Sequence, residues 1–279
     1  MVQAMDTGEL YLIDLGSRNG SFINGRRVGI PVTLQNGDRL TFGQTELIFH
    51  CPQPEVEEPA EQTPCDFTAT ATLHVRRLIS VFVVDIRDYT GLTLQMDEKL
   101  LSEMISHWFC QAGEIIRKNG SWVDKYIGDA VMAVWIHGSQ DSATPSETLP
   151  AFRAIDALNQ MTQTLAQQYP VPFPLRIGAG INTGFAMVGN TGSGDRPDYT
   201  ALGDTVNAAF RLESATKKLG LDVMLGELTY QSVQAAMTDS CFQQHMVSLK
   251  GYDAPTSAYG SSFQDLRGFL DQLACSTAY

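Results

Sequence analysis

Two aspartates in this sequence stand where a carboxylate is costly. Asp85 ends the most apolar stretch of the chain, in Val81-Phe-Val-Val-Asp-Ile-Arg-Asp-Tyr-Thr. Asp129 lies at the turn of a hairpin pattern, Lys125-Tyr-Ile-Gly-Asp-Ala-Val-Met-Ala-Val-Trp. A carboxylate at the end of a buried strand needs water, a partner or a cation. Two of them on neighbouring strand ends make a hard-oxygen site suited to Mg²⁺ or Mn²⁺, ions that hold substrate phosphates through one or two acids. On spacing alone another reading stays open, in which each aspartate only caps a turn or the following helix. A second constellation is Asp198-Tyr-Thr-Ala-Leu-Gly-Asp-Thr-Val-Asn-Ala-Ala-Phe-Arg-Leu-Glu. Asn207 and Arg211 are four apart, so they share a helix face and present an amide beside a planar cationic fork, a pairing suited to ribose and phosphate oxygens. In isolation the same spacing describes a solvated polar face, and Lys125 reads equally as an exposed lysine. Other phosphate and hydrolase signatures are missing: there is no Gly-Lys dipeptide for a P-loop, no dinucleotide glycine fingerprint, no Gly-x-Ser-x-Gly and no His-Glu-x-x-His.

The elements that must position these residues alternate strand and helix. Leu78–Val84 is a nearly continuous apolar run of strand length, the pattern of a central strand buried on both faces. From Asp97, a plausible N-cap, apolar residues Leu101, Met104, Ile105, Trp108, Ala112, Ile115 and Ile116 recur at helical spacing until Asn119-Gly120. Ser121–Lys125 and Ala130–Ile136 read as two strands around Tyr126-Ile-Gly-Asp, and a polar loop from His137 to Thr148 leads to a second helix bearing Ile155, Leu158, Met161 and Leu165. Leu175, Ile177, Ala179 and Ile181 alternate as a strand, which Asn182-Thr-Gly is expected to turn back through Phe185–Val188. Asp204 is expected to cap a third helix ending near Gly220. The implied fold class is α/β, one sheet with helices, preceded by a small all-β segment.

That segment, residues 1–50, is short apolar runs separated by Asn-Gly turns at 19–20, 24–25 and 36–37, a β-meander of marginal size for an independent domain. Residues 51–75 form an acidic, Pro-rich linker; Cys51–Asp66 holds four prolines and five acids and no basic residue. The main domain is expected over 76–262, with an amphipathic C-terminal tail over 263–279. The 279 residues are 43% hydrophobic and 18% charged, a globular composition. A net charge of −12 argues against sequence-tolerant nucleic-acid binding. No apolar run approaches the roughly 18–20 residues of a membrane span. The five cysteines are widely spaced and never Cys-x-x-Cys, so the expectation is a cytoplasmic protein without disulfide framework or zinc.

Four pieces in order carry a resemblance: Val84-Asp-Ile-Arg-Asp-Tyr-Thr, Lys125-Tyr-Ile-Gly-Asp-Ala-Val-Met-Ala, Gly178-Ala-Gly-Ile-Asn-Thr-Gly and Tyr199-Thr-Ala-Leu-Gly-Asp-Thr-Val-Asn-Ala-Ala-Phe-Arg-Leu-Glu. Together they make residues about 76–260 resemble the catalytic domain of class III nucleotidyl cyclases. The resemblance implies a ferredoxin-like α/β sandwich acting as a head-to-tail homodimer, with ATP as substrate, cyclic AMP and pyrophosphate as products, and two Mg²⁺ or Mn²⁺ ions per active site. Asp85 and Asp129 match the metal-binding aspartates, with the Ile86 carbonyl completing one shell. Lys125 matches the adenine N1 position and Thr200 the second purine-selecting position. Asn207 would orient the ribose, Arg211 would stabilise the transition state, and Lys250 matches the triphosphate lysine more loosely. Metals would come from one protomer and purine, ribose and arginine contacts from the other. A guanylate cyclase and a catalytically silent, peptide-reading scaffold are the alternatives. Ile13-Asp-Leu-Gly-Ser-Arg-Asn-Gly-Ser-Phe-Ile-Asn-Gly and Leu34-Gln-Asn-Gly-Asp-Arg-Leu-Thr-Phe-Gly resemble the second half of a forkhead-associated (FHA) domain, with Asn19, Gly20 and Ser21 matching its remaining contacts. A phosphothreonine protein would be a partner only for a complete module, and truncation is expected here.

Overall fold

The computed structural model describes residues 2–4, 10–12, 21–28, 32–43, 45–50, 75–137, 142–190, 199–237, 241–249 and 254–276. The chain divides into two compact units.

In the N-terminal unit, strands β1 (Val2–Ala4), β2 (Leu10–Leu12) and β5 (Val32–Thr33) form one small sheet. Strands β4 (Arg26–Arg27), β3 (Ser21–Ile23), β6 (Arg39–Phe42) and β7 (Thr45–Ile48) form another. Leu12, Ile23, Val28, Leu34 and Leu40 make its core. The Asn24-Gly25 turn is tied to the Asn36-Gly37 turn by the Asn24 amide donating to Asp38 at 2.8 Å. The Asn19-Gly20 turn, and residues 51–74 of the linker, lie outside the described residues.

The larger unit is built on β8 (Val75–Ile86), antiparallel to both β10 (Ala130–Ile136) and β11 (Ile177–Asn190). Around them the order is β14 (Gln243–Val247), β15 (Thr256–Ser261), β13 (Val223–Gly226), β11, β8, β10 and β9 (Val123–Ile127), with β12 (Tyr199–Leu202) also pairing β11. Side chains alternate along β8. Phe82, Val84 and Ile86 enter the core covered by the helices, whereas Ile79, Val81 and Val83 face the opposite way. Burial on both faces accounts for the unbroken apolar run.

One face is covered by α2 (Glu98–Lys118), α3 (Pro145–Ala166), α5 (Glu227–Gln234) and α6 (Phe263–Ser276). Asp97 caps α2 as its sequence suggests, accepting from the Lys99 and Leu100 amides at 3.1 Å. Leu101, Met104, Trp108, Ala112 and Ile116 then fall on the buried stripe. Trp108 donates its indole N–H to Thr162 on α3 at 2.8 Å, satisfying the polar edge of a fully buried ring. The closing amphipathic segment is α6, which sets Leu266 and Phe269 into this core. The other face carries α4 (Asp204–Leu219), through Val206 and Ala209. A short helix, α1 (Tyr89–Gln95), follows β8.

Three local expectations change. Asn182-Thr-Gly does not turn; β11 runs on, in register with β8 from Ile177↔Ile86 to Val188↔Val75. Its polar residues are used across the sheet: Asn182 donates to the Thr205 carbonyl at 3.0 Å, and Thr183 joins buried Ser80 at 2.8 Å. Tyr126 and Ile127 belong to β9, so the hairpin turn is only Gly128-Asp129. The second helix begins inside the expected loop, at Pro145, because Thr144 and Glu147 form a capping box.

Candidate active site

Asp85 sits near the end of β8, opposite Ala130 on one side and Gly178 on the other. Asp129 precedes Ala130, in a turn that requires Gly128 at φ 65°, a conformation open to glycine without strain. The hairpin therefore delivers the second carboxylate to the first. Asp85 Oδ1 is buried and has no hydrogen-bond partner. Burial, followed by the charge of Asp129, raises the Asp85 pKa from 3.8 to about 6. Lys217 and Arg87 pull the other way. A cation beside the pair would offset both causes. Among the described residues no group of three or more His, Cys, Asp or Glu is assembled for a metal, so this two-carboxylate pair is the hard-oxygen candidate. A site of that kind suits an ion whose remaining ligands are water and phosphate. Ile86 is completely buried.

On the same face, α4 packs closely over β11. A Cβ at Gly180 would overlap the backbone nitrogen of Glu213 and the carbonyl oxygen of Ala209. Glu213 is buried, and burial, then the charge of Asp85, raises its pKa from 4.5 to about 7. Arg87 and Lys217 oppose that shift.

Asn207 and Arg211 are placed one turn apart on α4, Asn207 exposed and Arg211 half-buried. Asp204 is the first residue of that helix, and Gly203 takes the cap position expected of it. A groove of about 630 Å³ runs beside Arg211, lined also by Ser214, Lys218, Leu219, Met246 and Leu249. Lys125 is half-buried on β9, in register with Met132. Thr200 is buried on β12, a strand not adjacent to β9. The fold thus assembles Asp85 with Asp129 and Asn207 with Arg211, while Lys125 and Thr200 come from separate strands. Lys250 lies outside the described residues.

Sequence spacing gave no role to Arg87, Glu213, Thr216 or Lys217. The signal for Arg87 was its offset of two from Asp85, which puts both on one face of an extended strand.

Comparison with known proteins gives this architecture its relatives. Residues 74–259 match the family described as adenylate and guanylate cyclase catalytic domain, and residues 2–43 match the FHA domain. An adenylate cyclase of Anabaena cylindrica is 29% identical over 184 residues, 66% of this chain and 36% of that protein. The chain therefore spans about a third of the length of that relative. The crystal structure of the adenylyl cyclase CyaB from P. aeruginosa aligns with a TM-score of 0.56 at 28% identity, covering 67% of this chain and 95% of that one. The guanylyl cyclase Cya2 shares the fold, with a TM-score of 0.56 at 23% identity over 67% of this chain and 92% of its own. No helix among the described residues is long and apolar enough to cross a membrane.

Proposed function

The chain belongs to the adenylate and guanylate cyclase catalytic-domain family, and from that premise we propose that it converts ATP to 3′,5′-cyclic AMP and pyrophosphate at sites shared between the protomers of a homodimer. The observation that carries the reading is the buried, unpartnered carboxylate oxygen of Asp85 beside Asp129. Two Mg²⁺ or Mn²⁺ ions would be held there by Asp85, Asp129 and the Ile86 carbonyl. When bound, the ions supply positive charge that acidifies the ribose 3′-hydroxyl and stabilises the leaving pyrophosphate.

The protein's own groups do the rest. Lys125 donates to adenine N1, an acceptor; guanine carries a hydrogen there and would meet the ammonium donor to donor. The Thr200 hydroxyl supports that choice as the second purine contact. Asn207 orients the ribose so that the 3′-oxygen lies in line with the α-phosphorus. Arg211 neutralises charge that grows on the phosphoryl oxygens only in the transition state. Lys250 holds the triphosphate. Asp85 and Asp129 of one protomer face Lys125, Thr200, Asn207 and Arg211 of the other, so a monomer carries two incomplete halves. The FHA match at 2–43 suggests control by a phosphothreonine protein where that module is complete.

GTP as substrate is the second reading, since the matching family takes in guanylate as well as adenylate cyclases. A silent scaffold is the third, and the presence of Asp85, Asp129, Lys125, Thr200, Asn207 and Arg211 together weighs against it. A mixing experiment tests the shared site. Asp85→Ala and Arg211→Ala proteins, each inactive alone, are expected to regain activity when combined, because a mixed dimer rebuilds one complete site. Mixed dimers without activity would contradict it.

A further inference from the structure

Arg87 links the two functional halves of the domain within one chain. Its amide continues the ladder past β8 by donating to the Arg176 carbonyl at 2.8 Å. Its side chain, 14% exposed, lies over Gly178, where any Cβ would overlap the guanidinium. From there one nitrogen stands 3.3 Å from a Glu213 carboxylate oxygen. Another donates to the Thr216 hydroxyl and reaches the Leu221 carbonyl at 3.4 Å. Thr216 is fully buried and bonds back to the Glu213 carbonyl at 2.5 Å. One planar cation thus spans the last turns of α4 and the loop to β13, two residues from Asp85. The first turns of the same helix carry Asn207 and Arg211.

We propose that Arg87 is a positioning residue that fixes α4 to the carboxylate-bearing strand end and so serves both active sites of a dimer. It supports the metal half of one site and the Asn207/Arg211 half of the other. This rests on the shared-site reading above. A lysine cannot replace it, since an ammonium lacks the fork whose one nitrogen faces Glu213 while the other engages Thr216 and Leu221.

The mixed dimer isolates the two effects. In the Asp85→Ala/Arg211→Ala pair, the working site takes its carboxylates from the Arg211→Ala chain and its α4 from the Asp85→Ala chain. Arg87→Lys is placed in each chain in turn. In the chain donating α4, it is expected to lower kcat about tenfold or more, the cost of small misplacement, with the Mn²⁺ requirement unchanged. In the chain donating carboxylates, it is expected to raise the Mn²⁺ concentration needed for half-maximal rate. Thr216→Val, which removes the hydroxyl without changing charge, should reproduce the first effect in weaker form. In metal-free homodimers, Arg87→Lys should speed hydrogen exchange along Asp204–Leu212 while the melting transition stays cooperative. An active mixed dimer whose kcat ignores both substitutions in the α4-donating chain overturns this inference alone. A silent parent pair overturns the shared-site reading and this inference with it.

Discussion

Replacing Gly180 by alanine tests whether the contact between β11 and α4 sets the geometry of the site. The added Cβ would meet backbone atoms of Glu213 and Ala209 far inside van der Waals contact. Backbone cannot rotate away as a side chain can, so α4 must retreat by roughly 1 Å, a displacement that can cost on the order of a hundredfold in rate. Overpacking of this kind costs about 1–3 kcal/mol, against about 0.5–1 kcal/mol regained by removing a glycine from a strand. For a domain of this size the net lowers Tm by a few degrees. Gly184→Ala is the control, because its Cβ would meet side-chain rather than backbone atoms, those of Thr205, with the hydroxyl nearest at 2.8 Å. The assay pairs thermal melts by circular dichroism with kcat and KM for both variants. Gly180→Ala is expected to lose kcat by tenfold or more with a modest Tm shift, and Gly184→Ala to lose less of both. A Gly180→Ala protein with unaltered Tm and kcat would refute the close approach as the positioning contact.

Arg211→Ala should lower kcat by at least a hundredfold while moving KM little, since its charge is needed only in the transition state; steady-state kinetics with Mn²⁺ and ATP decide this. The metal-free protein should lose stability as pH rises from 4.5 to about 7, because folded Glu213 holds its proton to higher pH than the unfolded chain does. Denaturant melts in chelator should show that slope, and Glu213→Gln should reduce it, leaving the share contributed by Asp85. Trp108→Ala should cost about 3–5 kcal/mol by emptying a fully buried site between α2 and α3, read as a shifted denaturation midpoint.

What could be read from the sequence was mostly local. The apolar run of β8, the Asp97 cap and the stripe of α2 are short-range patterns, and the structure holds them as expected. The carboxylate pair was legible because a hairpin brings Asp129 to the end of a strand already marked as central. Asn182-Thr-Gly misled because turn-forming residues also serve as cross-sheet donors and as openings for a helix, a choice made by tertiary packing. The start of α3 was hidden in a polar stretch whose Thr144 and Glu147 act only as a pair. Arg87 and Glu213 meet across more than a hundred residues, and nothing in the spacing of either announces the other. Gly180 was visible within a family-like motif, but its reason, the backbone of α4 lying against it, exists only in three dimensions.

The central claim is tested most directly by incubating the purified protein with Mn²⁺ and either ATP or GTP and resolving the products by chromatography. The account predicts cyclic AMP and pyrophosphate from ATP, well in excess of any cyclic GMP from GTP, and loss of both with Asp85→Ala. Cyclic GMP in excess would contradict the role given to Lys125, and neither product from a dimeric protein would contradict catalysis itself.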